Sequence, residues 1–118
     1  MIPPAPIALI VEDDDDIRDV LQPVAQRAGF ETATARHGLE ALRYLRQHEE
    51  RPSVILLDLM MPVMDGNSFL ERRDESMKEI PVVVLTAKMD AHVPPGVHVL
   101  RKPVGMELVL DALCRYVH

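Results

Sequence analysis

The chain has no second cysteine for Cys114 to pair with. No internal disulfide can hold it, and a reducing, cytoplasmic setting suits it. It has no excess of positive charge either. The formal charge is −6, and a nucleic-acid backbone needs a basic face, so nucleic acid is not expected as a direct partner. There is no long apolar run: Ile7 to Val11 is short and has no basic stretch ahead of it. That excludes the signal-peptide and membrane-span patterns, and no membrane contact is expected. Internal repeats and low-complexity linkers are missing. The histidines, at 37, 48, 92, 98 and 118, show no metal-ligand spacing and read as surface residues.

What is present is the composition of a globular chain, 47% apolar and 27% charged over 118 residues. A chain of this length forms one domain, 1–118, and hides roughly two-thirds of its unfolded surface. The last apolar pattern stops close to the final residue, so no separate output domain is expected.

Hydrophobic periodicity divides the chain into alternating elements. Ile7–Val11, 53–58 and 80–87 are continuous apolar runs rich in branched residues, the mark of strands buried on both faces. Residues 30–35 make a further short strand, and 97–102 the last one. Between them lie helical patterns. Ile17, Val20, Leu21, Val24, Ala25 and Ala28 share one face, with Pro23 as a kink point and Gly29 as a stop. Residues 38–50, 67–78 and 106–117 supply the others. Strands alternating with helices predict an α/β fold, a parallel sheet covered on both faces.

In such sheets functional groups gather beyond the carboxyl ends of the strands. Glu12 and Asp13, Asp58, Thr86 and Lys102 each follow a different apolar run. They are therefore expected to meet in one pocket. Two carboxylates at about 4 Å repel by on the order of 4 kcal/mol at an effective dielectric near 20. A bound cation or a proton relieves this. Mg²⁺ fits hard oxygen ligands best. A lysine and a hydroxyl beside metal-bound carboxylates are what a transferring phosphoryl group needs, one carboxylate being the nucleophile.

The blocks "IVEDDDDIR", "ILLDLMMPVMDG", "VVVLTA" and "LRKP" resemble, in order and over nearly the whole chain, the signature blocks of two-component response-regulator receiver domains. The resemblance implies a doubly wound five-stranded parallel sheet in the flavodoxin-like order 2-1-3-4-5. It makes Asp58 the phosphoacceptor, and Glu12, Asp13, Asp58 and the carbonyl of Met60 the Mg²⁺ ligands. Thr86 and Lys102 would contact the phosphoryl group, and Ala87 would leave it room. The Lys102–Pro103 bond is expected to be cis. Asp14 to Asp16 are left to cap the first helix. Asp65–Gly66 reads as turn chemistry, and Met60, Met61 and Met64 as packing or contact residues.

Two departures from the family pattern are visible. Only 87–101 separate Thr86 from Lys102, and Pro94, Pro95 and Gly96 fall among them, so the fourth helix is expected to be missing or reduced. Val99 stands where the family usually carries a switch aromatic. Both fall on a face many relatives use for output, so contacts are expected instead through the first helix and the Pro103–Met106 loop.

The reading is a self-phosphorylating and self-dephosphorylating signalling module, not an enzyme with a separate substrate. Its donor would be a histidine kinase or histidine phosphotransfer protein. It would act on a downstream protein or as a relay intermediate or phosphate sink, as a monomer or weak dimer. Met60 and Lys88 occupy positions that tune hydrolysis in relatives, and neither is a water-positioning acid or amide. A longer-lived phosphoryl form is expected. The competing reading is a phosphorylation-independent interaction module. An aspartyl phosphatase would want a second acid at Met60, and a flavin protein would want a glycine- and hydroxyl-rich first loop.

Overall fold

A computed structural model of the chain describes residues 5–59, 64–87, 97–103 and 105–117. Its elements, in chain order, are β1 (Ile7–Val11), α1 (Asp15–Arg27), β2 (Glu31–Ala35), α2 (Gly38–Gln47) and β3 (Val54–Asp58). Then come α3 (Gly66–Glu71), α4 (Glu75–Lys78), β4 (Val82–Thr86), β5 (His98–Arg101) and α5 (Met106–Cys114). The strands form one sheet in the order β2-β1-β3-β4-β5, every pairing parallel.

The apolar runs explain the order of burial. All of β3 and β4 is buried, because each lies inside the sheet with helices on both sides. Alternate residues feed two cores. Leu9, Val11, Ile55, Leu57, Val82 and Val84 face α2, α3 and α4, with Phe69 and Met77. Ala8, Ile10, Val54, Leu56, Val83 and Leu85 face α1 and α5. The helices thus fix which end of each strand is open, and that open end is where the acids stand.

Local chemistry sets the helix ends. Asp14 caps α1, its carboxylate accepting the amides of Asp16 and Ile17, and Asp15 and Asp16 occupy the positive first turn. The helix runs on through Pro23. It stops at Gly29, whose φ of +107° is open to glycine at little cost. Asp65 does the same for α3 by accepting the Ser68 amide, so it is a cap, beyond the turn chemistry read for it. The Lys102–Pro103 bond is cis.

Several expectations are corrected. The single helix over 67–78 is two short ones, because Asp74 accepts the Met77 amide and starts a fresh helix, while Arg72 and Arg73 bond back to carbonyls of the first. The Ser76 hydroxyl also donates to Asp74 and helps hold its carboxyl below the usual range. The helix over 38–50 ends at Gln47, where Arg51 donates to the Leu45 carbonyl. Val20, placed on the buried face of α1, is 51% exposed. One residue from Leu21 is about 100° of helix rotation, enough to carry it off the face. Not all the histidines are surface residues. His37 is a half-buried cap accepting the Glu40 amide, and His98 is half-buried in β5.

The expected loss of a helix after Thr86 falls on 88–96, outside the described residues. Val99 is described, half-buried against the α2–α3 core. Among the described residues no helix is long and apolar enough to cross a membrane.

Candidate functional site

Three strand ends and one loop bring the charged residues together. β1 ends at Val11 and β3 at Asp58. Since Val11 pairs with Leu57, the residues that follow both strands emerge side by side. Glu12, Asp13 and Asp58 each offer one carboxylate oxygen, and these atoms lie within 4.8 Å of one another. Glu12 and Asp58 are buried and Asp13 is exposed, so the cluster opens to solvent on one side.

Lys102 comes from the far edge of the sheet. Its amide donates to the Thr86 carbonyl at 2.7 Å, which ties the residue after β5 to the end of β4. Its Nζ then stands 3.9 Å from Asp58 Oδ2. Thr86 is fully buried, and Ala87 behind it is exposed. Of the residues read from the sequence, Glu12, Asp13, Asp58, Thr86, Ala87 and Lys102 all lie at this one end of the sheet. Met60 lies outside the described residues.

Glu12 has the most demanding position. It is 2% exposed, and its Oε2 is buried with no hydrogen-bond partner among the described residues. Oε1 accepts a long bond of 3.3 Å from the Asp14 amide. Burial first, and then the Asp58 charge, push its pKa up from 4.5 to about 7, against the opposing pull of the Asp14 amide and Lys102. A buried acceptor left without a donor is costly. Here it sits within reach of two further carboxylates, an all-oxygen set that fits a hard divalent cation. The donor set and the orphaned oxygen agree.

Three residues make contacts that the sequence did not reveal, Gly66 having been read as turn chemistry alone. Arg18 donates from Nη1 to the carbonyls of Glu12 (2.9 Å) and Asp13 (3.3 Å), and from Nη2 to the Asp15 carboxylate. Its signal was an arginine one helical turn past the acids. Gly66 approaches the end of β3 so closely that a Cβ there would stand 2.7 Å from the Leu59 Cα and 2.8 Å from the Asp58 carbonyl. Its amide also donates to the Leu59 carbonyl. Gly38 packs as tightly on Met64, which is a core residue. Glycine in the loop after β3 was the available clue, but close approach is invisible without the fold.

Beside the acids runs a groove of about 460 Å³, lined by Ile17 and Leu21 of α1, Leu85, Pro103 and Met106, and by Ala87 and Lys102 from the site itself.

The family model described as "Response regulator receiver domain" matches residues 8–113. Among curated proteins, the transcriptional regulatory protein AfsQ1 of Streptomyces coelicolor is 41% identical over 85 residues, 72% of this chain and 36% of that protein. The chain spans about a third of the length of the first such relatives. Among solved structures, a sensor protein from Polaromonas sp. JS666 aligns with a TM-score of 0.83 at 28% identity, covering 96% of both chains. Chemotaxis protein CheY4 of Vibrio cholerae aligns with a TM-score of 0.80 at 30% identity, covering 97% of this chain and 100% of that one.

Proposed function

The chain belongs to the response-regulator receiver family of two-component signalling, and from that premise we propose that Asp58 accepts a phosphoryl group from a phosphohistidine of a kinase or phosphotransfer protein. The observation that carries this is the meeting of Asp58 with two further acids and a lysine at one open sheet end.

In the step, an Asp58 oxygen attacks phosphorus, the N–P bond breaks, and the imidazole leaves with the bonding pair. Charge spreads over the phosphoryl oxygens as this happens, so catalysis is chiefly positioning and electrostatics. Lys102, already 3.9 Å from Asp58, neutralises one of those oxygens. The Thr86 hydroxyl donates to another, and the small Ala87 leaves the group room. Glu12, Asp13 and Asp58, with the Met60 carbonyl that the family resemblance implies, would hold a Mg²⁺ ion, which would supply the remaining positive charge when bound. The same residues and water serve hydrolysis, so the module turns over only its own phosphoryl group.

Output contacts are proposed to run over α1 and the Pro103–Met106 side. The groove there shares Ala87 and Lys102 with the acid site, so an occupant would lie against the lysine that pairs with Asp58. The exposed Val20 extends the apolar surface of α1. A reducing cytoplasm suits both that partner and the free Cys114.

The test is intact mass after incubation with Mg²⁺ and acetyl phosphate, wild type beside Asp58→Asn. One added phosphoryl group that needs both Mg²⁺ and Asp58 supports the reading; no adduct on a folded wild type overturns it. A phosphorylation-independent interaction module is the second reading, favoured by Val99, which offers no ring to reposition. The absence of an adduct together with retained partner binding selects it.

A further inference from the structure

Glu12 and Asp13 are adjacent in sequence, yet both offer an oxygen to the same small volume. Extended backbone does not allow that, because successive side chains leave on opposite faces. The chain must bend as it leaves β1, and something must hold the bend. One side chain is placed to do so. Arg18 Nη1 donates to the carbonyls of Glu12 and Asp13 together, at 2.9 and 3.3 Å. Two consecutive carbonyls facing one donor is the backbone signature of the bend. Nη2 meets Asp15, and the whole side chain is only 13% exposed.

We infer that Arg18 is a positioning residue for the acid site: its guanidinium fixes the Glu12–Asp13 bend and so aims both carboxylates at the cation that joins them to Asp58. The inference rests on the cation-binding reading of Glu12, Asp13 and Asp58. It adds a residue that holds the ligands and does not itself touch the ion.

Geometry, and not charge, is the agent. The cation whose charge opposes protonation of Glu12 is Lys102; Arg18 bonds to the backbone of Glu12 and Asp13 and forms an ion pair with Asp15. Asp15 is largely exposed, so that pair contributes little. What matters is a planar, partly buried fork that reaches three acceptors at once. A lysine ammonium carries the same charge without that pre-set fork.

The experiment is titration of the metal-free protein with Mg²⁺ by calorimetry and with Mn²⁺ by paramagnetic resonance, alongside thermal melts in EDTA. Arg18→Ala and Arg18→Lys are both expected to weaken cation binding by about tenfold or more, the usual range for groups that orient metal ligands. Asp15→Asn, which removes only the ion pair, stays within about twofold of wild type. Amide exchange at Asp14, whose N–H bonds Glu12 Oε1, accelerates in both Arg18 variants and not in Asp15→Asn.

Three results overturn the inference while leaving the cation site standing. They are wild-type affinity in a folded Arg18→Ala, full recovery in Arg18→Lys, or an equal loss in Asp15→Asn. If Arg18→Ala does not fold, Arg18→Lys and Asp15→Asn decide the matter. A folded wild type that binds neither ion overturns the site reading itself, and this inference with it.

Discussion

Glu12→Gln in the metal-free protein isolates the strain of the acid site. Wild-type Glu12 is buried, has one oxygen without a hydrogen-bond partner among the described residues, and faces the Asp58 carboxylate. Its pKa rises from 4.5 to about 7 on folding, because burial and the neighbouring charge disfavour the ionised form. A raised folded value means the native state binds the proton more tightly than the unfolded chain. The stability this group contributes is therefore complete below about pH 4.5 and is lost as pH rises through about 7. The full span is worth roughly 3 kcal/mol, of which about 2 kcal/mol falls between about pH 5.5 and 8.5.

Glutamine has nearly the same shape and no charge to lose, so Glu12→Gln should be free of that slope. At about 4 °C per kcal/mol for a domain of this size, wild type should lose about 8 °C relative to the variant across that range. The assay is thermal unfolding by circular dichroism in EDTA at both pH values. The difference between the two proteins cancels the titrations of groups that do not interact with Glu12. Adding Mg²⁺ should reverse the order at high pH, since the cation binds the ionised form and stabilises only the native state. Melting temperatures that move in parallel with pH in EDTA would refute the account of Glu12.

Three further outcomes follow from the same geometry. Gly66→Ala would drive a Cβ into the backbone at Leu59 and Asp58; a loss of about 1–3 kcal/mol in denaturant unfolding is expected, with weaker Mg²⁺ binding, and wild-type values in both would refute the close approach. Asp14→Ala removes the α1 cap and should cost about 1 kcal/mol in the same assay, with no change meaning that water caps the helix as well. Phe69→Ala empties a fully buried position and should cost about 3–5 kcal/mol; a smaller loss would mean that α3 collapses onto the space.

Relatives of this family set the frame for the site, but the individual residues test it. Lys102 shows why. It is remote from Asp58 in the chain, and the pair forms only because the Lys102 amide bonds the Thr86 carbonyl at the neighbouring strand end. A substitution at Lys102 should therefore be read as a change in the charge facing Asp58, while the backbone clip that brings it there is independent of the side chain.

By itself the sequence determined which segments are buried and where the acids stand. Continuous apolar runs at Ile7–Val11, 53–58 and 80–87, short and rich in branched residues, point to strands covered on both faces, since each would otherwise leave apolar area in water. Asp14, beside the first apolar helix face, had to be a cap because its carboxylate satisfies amides no helix can satisfy internally. What residue order did not determine is set by distance across the fold. Glu12 is buried and its neighbour Asp13 is not, although both offer an oxygen to the same cluster, because that cluster opens to solvent on the Asp13 side. The long helix expected over 67–78 breaks because the Asp74 cap outcompetes continuation. Val20 sits at the edge of an amphipathic stripe whose width depends on how α1 meets the sheet. Arg18 and Gly66 matter through contacts with backbone, which carry no residue code. Periodicity reports which face is apolar; only the tertiary structure brings strand ends together, and electrostatics at short range then decide what the acids at those ends can hold.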